Sequence, residues 1–232
     1  MRLSPVLPAA LALLLVAAVL AGCGSSSSSN GIASKTPAEI AAAAKVAAAG
    51  ASTVHVSGSI VSSNSPIALD MELVAGKGGR GQISENGLSF DVIQVAGTTY
   101  ISGSPAFYSR FGGSAAAQLL QGKWLKAPAR SGSFSTLGSL TNLSQLLGTV
   151  LAEPGTLAKG TTSTVDGQSV LSITDVSHGR TLYVATTGKP YPIEITKSGG
   201  TGGKISFTDW NASVALAAPK DAIDLAQLQA DH

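Results

Sequence analysis

The chain has 232 residues, 12% of them charged, a formal net charge of +2 and one cysteine. No cluster of Lys and Arg exists to hold phosphates, which excludes nucleic acid as a partner. A single thiol excludes an internal disulfide, so the fold must rest on its apolar core, although aromatic residues at 5% leave few bulky side chains to fill one.

Arg2 is the only positive charge before an apolar run, Val6 to Ala21, broken only by Pro8. About 15 apolar residues are short for a spanning helix, which needs roughly 20, but suit the apolar region of a secretion signal. Leu20-Ala21-Gly22-Cys23 closes the run. This order looks like a bacterial lipobox, in which the thiol takes a diacylglyceryl group and becomes the mature N-terminus. Two or three acyl chains are needed for stable attachment, and a lipobox cysteine supplies them. The expected organisation is a signal peptide over 1–22, a lipidated Cys23 with a serine-rich tether over 23–35, and one domain over 36–232. The expected location is the outer face of the cytoplasmic membrane. The competing reading is an ordinary signal peptide with a chance cysteine, or an uncleaved anchor.

Thr36-Pro37-Ala38-Glu39 opens a helix with an N-cap, proline at the first helical position and an acid in the first turn. The helix runs to Ala49 and stops at Gly50. From Thr53 the period becomes two. Val54, Val56 and Ile60 alternate with His55, Ser57 and Ser59, and Ile67, Leu69, Met71 and Leu73 alternate with Asp70 and Glu72. That pattern predicts antiparallel strands with one wet face. Asn86-Gly87 is a hairpin signal, and strands follow over 88–95 and 98–102.

Residues 103–122 break the pattern, with one short helix expected over 115–120. A short strand is expected over 122–126. Leu137, Leu140, Leu143, Leu146, Leu147, Val150 and Leu151 recur at helical spacing. A second meander is expected over 161–165, 169–176, 181–187, 191–197 and 204–210, then a last strand over 214–216 and a short C-terminal segment. The class is therefore α+β, with about ten strands in a large antiparallel sheet. A curved, half-barrel sheet wrapped around a few short helices would satisfy the pattern, and space left unfilled inside it would be a hydrophobic cavity.

No catalytic or metal constellation is readable. Gly76 to Gly81 matches G-x-G-x-x-G, but a strand follows where a nucleotide site needs a helix. Gly199 to Lys204 lacks the Ser or Thr of a phosphate-binding loop. His55, His178 and His232 have no metal-ligand spacing, and no nucleophile elbow occurs. No cofactor is expected. The inward apolar set Val54, Val56, Ile60, Leu69, Met71, Leu73, Leu88, Phe90, Val92, Leu182 and Val184 is either plain core or the lining of a ligand cavity. Leu140, Leu143 and Leu147 are either core or a lid over its mouth.

The order of elements, with Leu20 to Cys23, Val54-His55-Val56-Ser57-Gly58, Gly122-Lys123-Trp124, Lys189-Pro190-Tyr191-Pro192-Ile193 and Phe207-Thr208-Asp209-Trp210-Asn211 before Pro219, resembles the actinobacterial LppX/LprG-type lipoproteins. These are in turn similar to the LolA/LolB lipoprotein carriers. The resemblance implies a half-barrel enclosing a cavity for acylated lipids or lipoglycans, with no chemistry performed. It implies an envelope monomer that meets the membrane through its anchor and works beside export or transport machinery. The competing function is an envelope sensor or scaffold module with a closed core and no lipid cargo.

Overall fold

The computed structural model describes residues 28–62, 65–129, 140–151, 155–199 and 202–230. Leu20, Ala21, Gly22, Cys23 and His232 lie outside them.

Ser29 bridges to Thr187, and the Asn30 N–H donates to the Thr186 carbonyl at 2.8 Å. A 3-10 turn, Ile32–Ser34, then leads to helix α1, Pro37–Ala49. The expected cap is present in full. Thr36 Oγ1 accepts from the Glu39 N–H at 3.3 Å, and Glu39 Oε2 accepts from the Thr36 N–H at 2.8 Å. The Thr36 N–H and the Thr36 hydroxyl, both donating to Glu39 Oε2, hold the Glu39 carboxyl below its ordinary value. Ile40, Ala44 and Ala48, spaced four apart, form the buried stripe. Two of the three are alanine, so the helix can lie close against the sheet.

The first meander is β1 (Thr53–Ser62), β2 (Ser65–Val74), β3 (Gly78–Glu85), β4 (Leu88–Val95), β5 (Thr98–Gly103) and β6 (Leu125–Pro128). Asn86 and Gly87 have φ of 51° and 78°, the positive pair a type I′ hairpin requires. Between β5 and β6 lies α2, Pro105–Leu120, ten residues longer at its start than the short helix expected. Its N-cap Ser104 accepts from the Phe107 N–H, and Pro105 takes the first position. Gly113, non-helical at φ 74°, interrupts the run and hides its helical period. Helix α3 is Leu143–Val150, capped by Asn142. The leucine stripe thus yields a helix over its C-terminal part, and Leu137 falls outside the described residues.

The second meander is β7 (Leu157–Val165), β8 (Gln168–Asp175), β9 (Arg180–Ala185), β10 (Pro192–Lys197) and β11 (Gly203–Thr208). Residues 214–216, expected as the last strand, form none. The last strand is β12, Ile223–Asp224, parallel to β6, and α4 follows at Leu225–Ala230. Two residues are too few for a period, and their place is set by the edge of β6, where the Ile223 N–H donates to the Trp124 carbonyl.

All twelve strands join one open sheet, in the order β12-β6-β5-β4-β3-β2-β1-β11-β10-β9-β8-β7, antiparallel except at β12. The two meanders meet where β1 pairs with β11, Val56 opposite Phe207. Gly58 sits at this seam with φ 145°, and a Cβ there would lie 2.1 Å from the Lys204 carbonyl oxygen. Only glycine lets the strands close there.

Registry sorts the residues by face. Val56, Met71, Gly81, Val92 and Ile101 follow one another across β1 to β5 on the inner face. Their neighbours His55, Glu72, Arg80, Ile93 and Tyr100 line the outer face. Helices α1 and α3 pack on the inner face, and α2 packs against β4 and β5.

Candidate functional site: the apolar inner face

Five of the proposed lining residues, Val54, Val56, Met71, Leu73 and Val92, are at most 1% exposed and belong to one apolar cluster. Leu69 and Phe90 are half-buried against it. Leu88 is half-buried and outside it. The side chain of Ile60 is outside the described set. Leu182 and Val184 lie elsewhere, with Ile32, Ile40, Ala44, Leu171 and Ile173 beneath α1. Bulges at Pro192/Glu194 in β10 and Lys159/Thr162 in β7 shift the pairing of the second meander. Registry through Ile205 and Ile195 nevertheless keeps Leu182 on the inner face, several strands away from β2 and beneath α1.

Leu143 and Leu147 are buried in the first cluster, as is Leu146, and Leu140 packs against it half-buried. The leucines of α3 therefore pack in the same apolar cluster as Val54, Met71 and Val92. Three strand residues of this cluster are absent from the expected set: Ile83, Ile205 and Phe207. Ile83 stands in a run, Gly78 to Glu85, whose glycines spoil the alternation. A Cβ on Gly81 would lie 2.7 Å from Met71 Sδ, so the missing side chain is what gives Met71 room.

One polar spot interrupts this face. Thr99 is fully buried, and its hydroxyl has no hydrogen-bond partner among the described residues. Its cross-strand neighbour Gln94 accepts a hydrogen bond from Thr141, which is also fully buried. Aromatic side chains stand at the margins. Phe90 and Phe107 have ring centroids 5.1 Å apart, while Tyr191 and Trp210 stack at 4.5 Å with Phe207 next to Trp210. No spacing in the sequence could have placed them.

The outer face of the first meander is polar. A groove of about 520 Å³ is lined by His55, Asp70, Glu72, Arg80, Asp91 and Trp124, among others. His55 Nε2 is 2.7 Å from Asp70 Oδ1, its Nδ1 3.1 Å from Thr208 Oγ1, and Arg80 pairs with Glu72 at 2.5 Å. These groups satisfy one another and are open to water, as expected for a wet face. Among the described residues no three His, Cys, Asp or Glu are placed to hold a metal ion. Gly76 to Gly81 forms the β2–β3 turn and the start of β3.

The turn after β8 carries a buried carboxylate. Asp175 Oδ2 is 2.7 Å from His178 Nδ1 and 2.9 Å from Arg180. Burial pushes this carboxyl up, but hydrogen bonds from Arg180, His178 and the Gly155 backbone outweigh it and hold it well below the usual carboxylate range. The arrangement fixes a turn.

No family model and no curated protein sequence matches the chain. Solved structures do. LprF from Mycobacterium bovis superposes with a TM-score of 0.54 at 15% identity, covering 78% of this chain and 95% of that one. The Mycobacterium tuberculosis lipoprotein LppX gives 0.49 at 18%, covering 78% of this chain and 100% of that one. The chain has the LppX/LprG-type fold that the order of its elements resembles.

Proposed function

We propose that this chain is a lipoprotein of the cell envelope, anchored through acylated Cys23, that binds or shuttles an acylated lipid and performs no chemistry. The supporting observation is the inner face: Val54, Val56, Met71, Leu73 and Val92 beneath the leucines of α3, within an LprF-like fold. Acyl chains would enter between these two layers, driven by about 25 cal/mol for each Å² of apolar surface removed from water. Val54, Val56, Ile60, Leu69, Met71, Leu73, Leu88, Phe90 and Val92 would line that space, while Leu182 and Val184, beneath α1, would belong to the fixed layer beside it. Leu140, Leu143 and Leu147 would be displaced as the lid.

Thr99 suits the same reading. A buried hydroxyl without a partner costs about 1–3 kcal/mol, and an ester carbonyl of a bound lipid would accept its hydrogen bond. The lipid class, acylated lipid or lipoglycan, would follow from the volume available and from this polar spot.

The alternative is an envelope sensor or scaffold module with a closed core. It is favoured by how tightly Leu143, Leu146 and Leu147 are already buried, at 3–8% exposure. Titration of the chain with a fluorescent fatty-acyl probe separates the two. Saturable uptake, weakened when a bulkier residue replaces Val92, is expected of a carrier. No uptake by the folded chain would sink the carrier reading and leave the closed module.

A further inference from the structure

The described chain begins on the second meander, at the end of β9 where Ser29 bridges to Thr187. Cys23 is six residues earlier in the sequence, and six extended residues span at most about 20 Å. An acylated Cys23 would therefore hold this end of the sheet close to a bilayer.

A surface of suitable chemistry lies beside that exit. The loop continuing from Thr187 forms, with α1, an apolar groove of about 530 Å³. Ala42, Ala43, Val46, Ala47, Lys189 and Pro190 line it. Val46 is 73% exposed, more than any other large apolar side chain among the described residues. It points away from the buried stripe Ile40, Ala44 and Ala48, so core packing does not account for it. Lys45 is exposed next to it and Lys189 borders the groove, whereas the only carboxylate of α1, Glu39, is taken up in the cap. An apolar strip edged by lysines is what an interfacial helix presents to anionic headgroups.

We propose that this face of α1 and the adjoining Gly188–Pro190 loop rest on the anionic lipid surface, with Val46 at the headgroup boundary. The proposal rests on the Cys23 anchor put forward above. It also gives the sheet an orientation: the β8–β9 turn, with Val176 exposed at 62%, lies at the opposite end of β9 and faces away from the bilayer.

The test uses the full lipidated chain in phosphatidylglycerol/phosphatidylcholine vesicles. Cys23 is the only native cysteine and its thiol is consumed by acylation. A single Val46→Cys or Val176→Cys substitution then carries the only free thiol for an environment-sensitive dye. Spin-labelled lipids are expected to quench the dye at position 46 several-fold more than at position 176. Ala42→Cys, on the same groove, gives the reading again should Val46→Cys fail to fold. Vesicle flotation, compared with Cys23→Ser, reads the anchor separately. A chain that floats with equal or no quenching at the two positions overturns the docking face and leaves the anchor. A chain that does not float and carries no acyl mass overturns the anchor and the docking face together. Shielding of position 46 by crosslinked protein, without lipid quenching, also overturns the proposal.

Discussion

Helices α1 and α3 cover the same face of one sheet by different means. Helix α1 is long, fully capped and alanine-faced, so its backbone lies close to β8 and β10 with little side-chain volume between. Helix α3 has eight residues, and it reaches the strands through leucines. Small side chains leave nothing to displace, whereas large ones can be exchanged for a ligand of similar apolarity. The contrast assigns α1 to fixing the second meander and α3 to the part of the core that a lipid would enter. The two regions meet at Ala48, which packs in the same cluster as the α3 leucines.

The largest way to break this contrast is at the seam both regions share. Phe207→Ala, at a fully buried position on β11, is expected to cost about 3–5 kcal/mol in chemical denaturation. Next comes Leu147→Ala on α3, at about 2–5 kcal/mol. Acyl-probe uptake should survive it, because the substitution adds space where the ligand is expected. Uptake abolished in a folded Leu147→Ala protein would put the binding layer elsewhere. On α1 the informative change is in the other direction. Ala44→Leu overpacks a position with no exposed surface and should cost about 1–3 kcal/mol, with probe uptake unchanged. Loss of uptake without loss of stability would reverse the roles given to the two helices.

The smallest effect concerns the second meander alone and appears only in acid. Asp175 titrates lower in the folded chain than in the unfolded one. Its contribution is therefore complete above the ordinary carboxylate value, about 3.9, and is lost as pH falls toward the folded value. Thermal midpoints should change little on this account between pH 7 and 5 and fall below about pH 4. Asp175→Asn should flatten that acid limb, and an unchanged limb would mean that other carboxylates govern it.

Much of this was legible in the residues, and what was not has physical causes. The alternation of Val54 to Leu73 predicts β1 and β2, and Val54, Val56, Met71 and Leu73 are buried inward, because one face is wet and the other dry. Thr36-Pro37-x-Glu39 gave α1 and its cap, since capping is local chemistry. The start of α2 was missed because Gly112-Gly113 interrupted the period, although Ser104-Pro105 already carried its signal. Pairing of β1 with β11 joins residues some 150 positions apart, Val56 with Phe207, and no local pattern encodes it. For the same reason no local pattern shows that Leu182 and Val184, on the same face as Val54 and Met71, lie several strands away beneath α1. Nothing in the run 98–102 sets Thr99 apart, and only its pairing with Gln94 places it on the inner face.

The central claim is that the layer between α3 and the sheet takes an acyl chain. Native mass spectrometry of the chain purified from the envelope of its own host tests it most directly. A carrier should appear with an added mass that dissociates as an acylated lipid. A homogeneous mass equal to that of the processed chain with its anchor alone would contradict the claim.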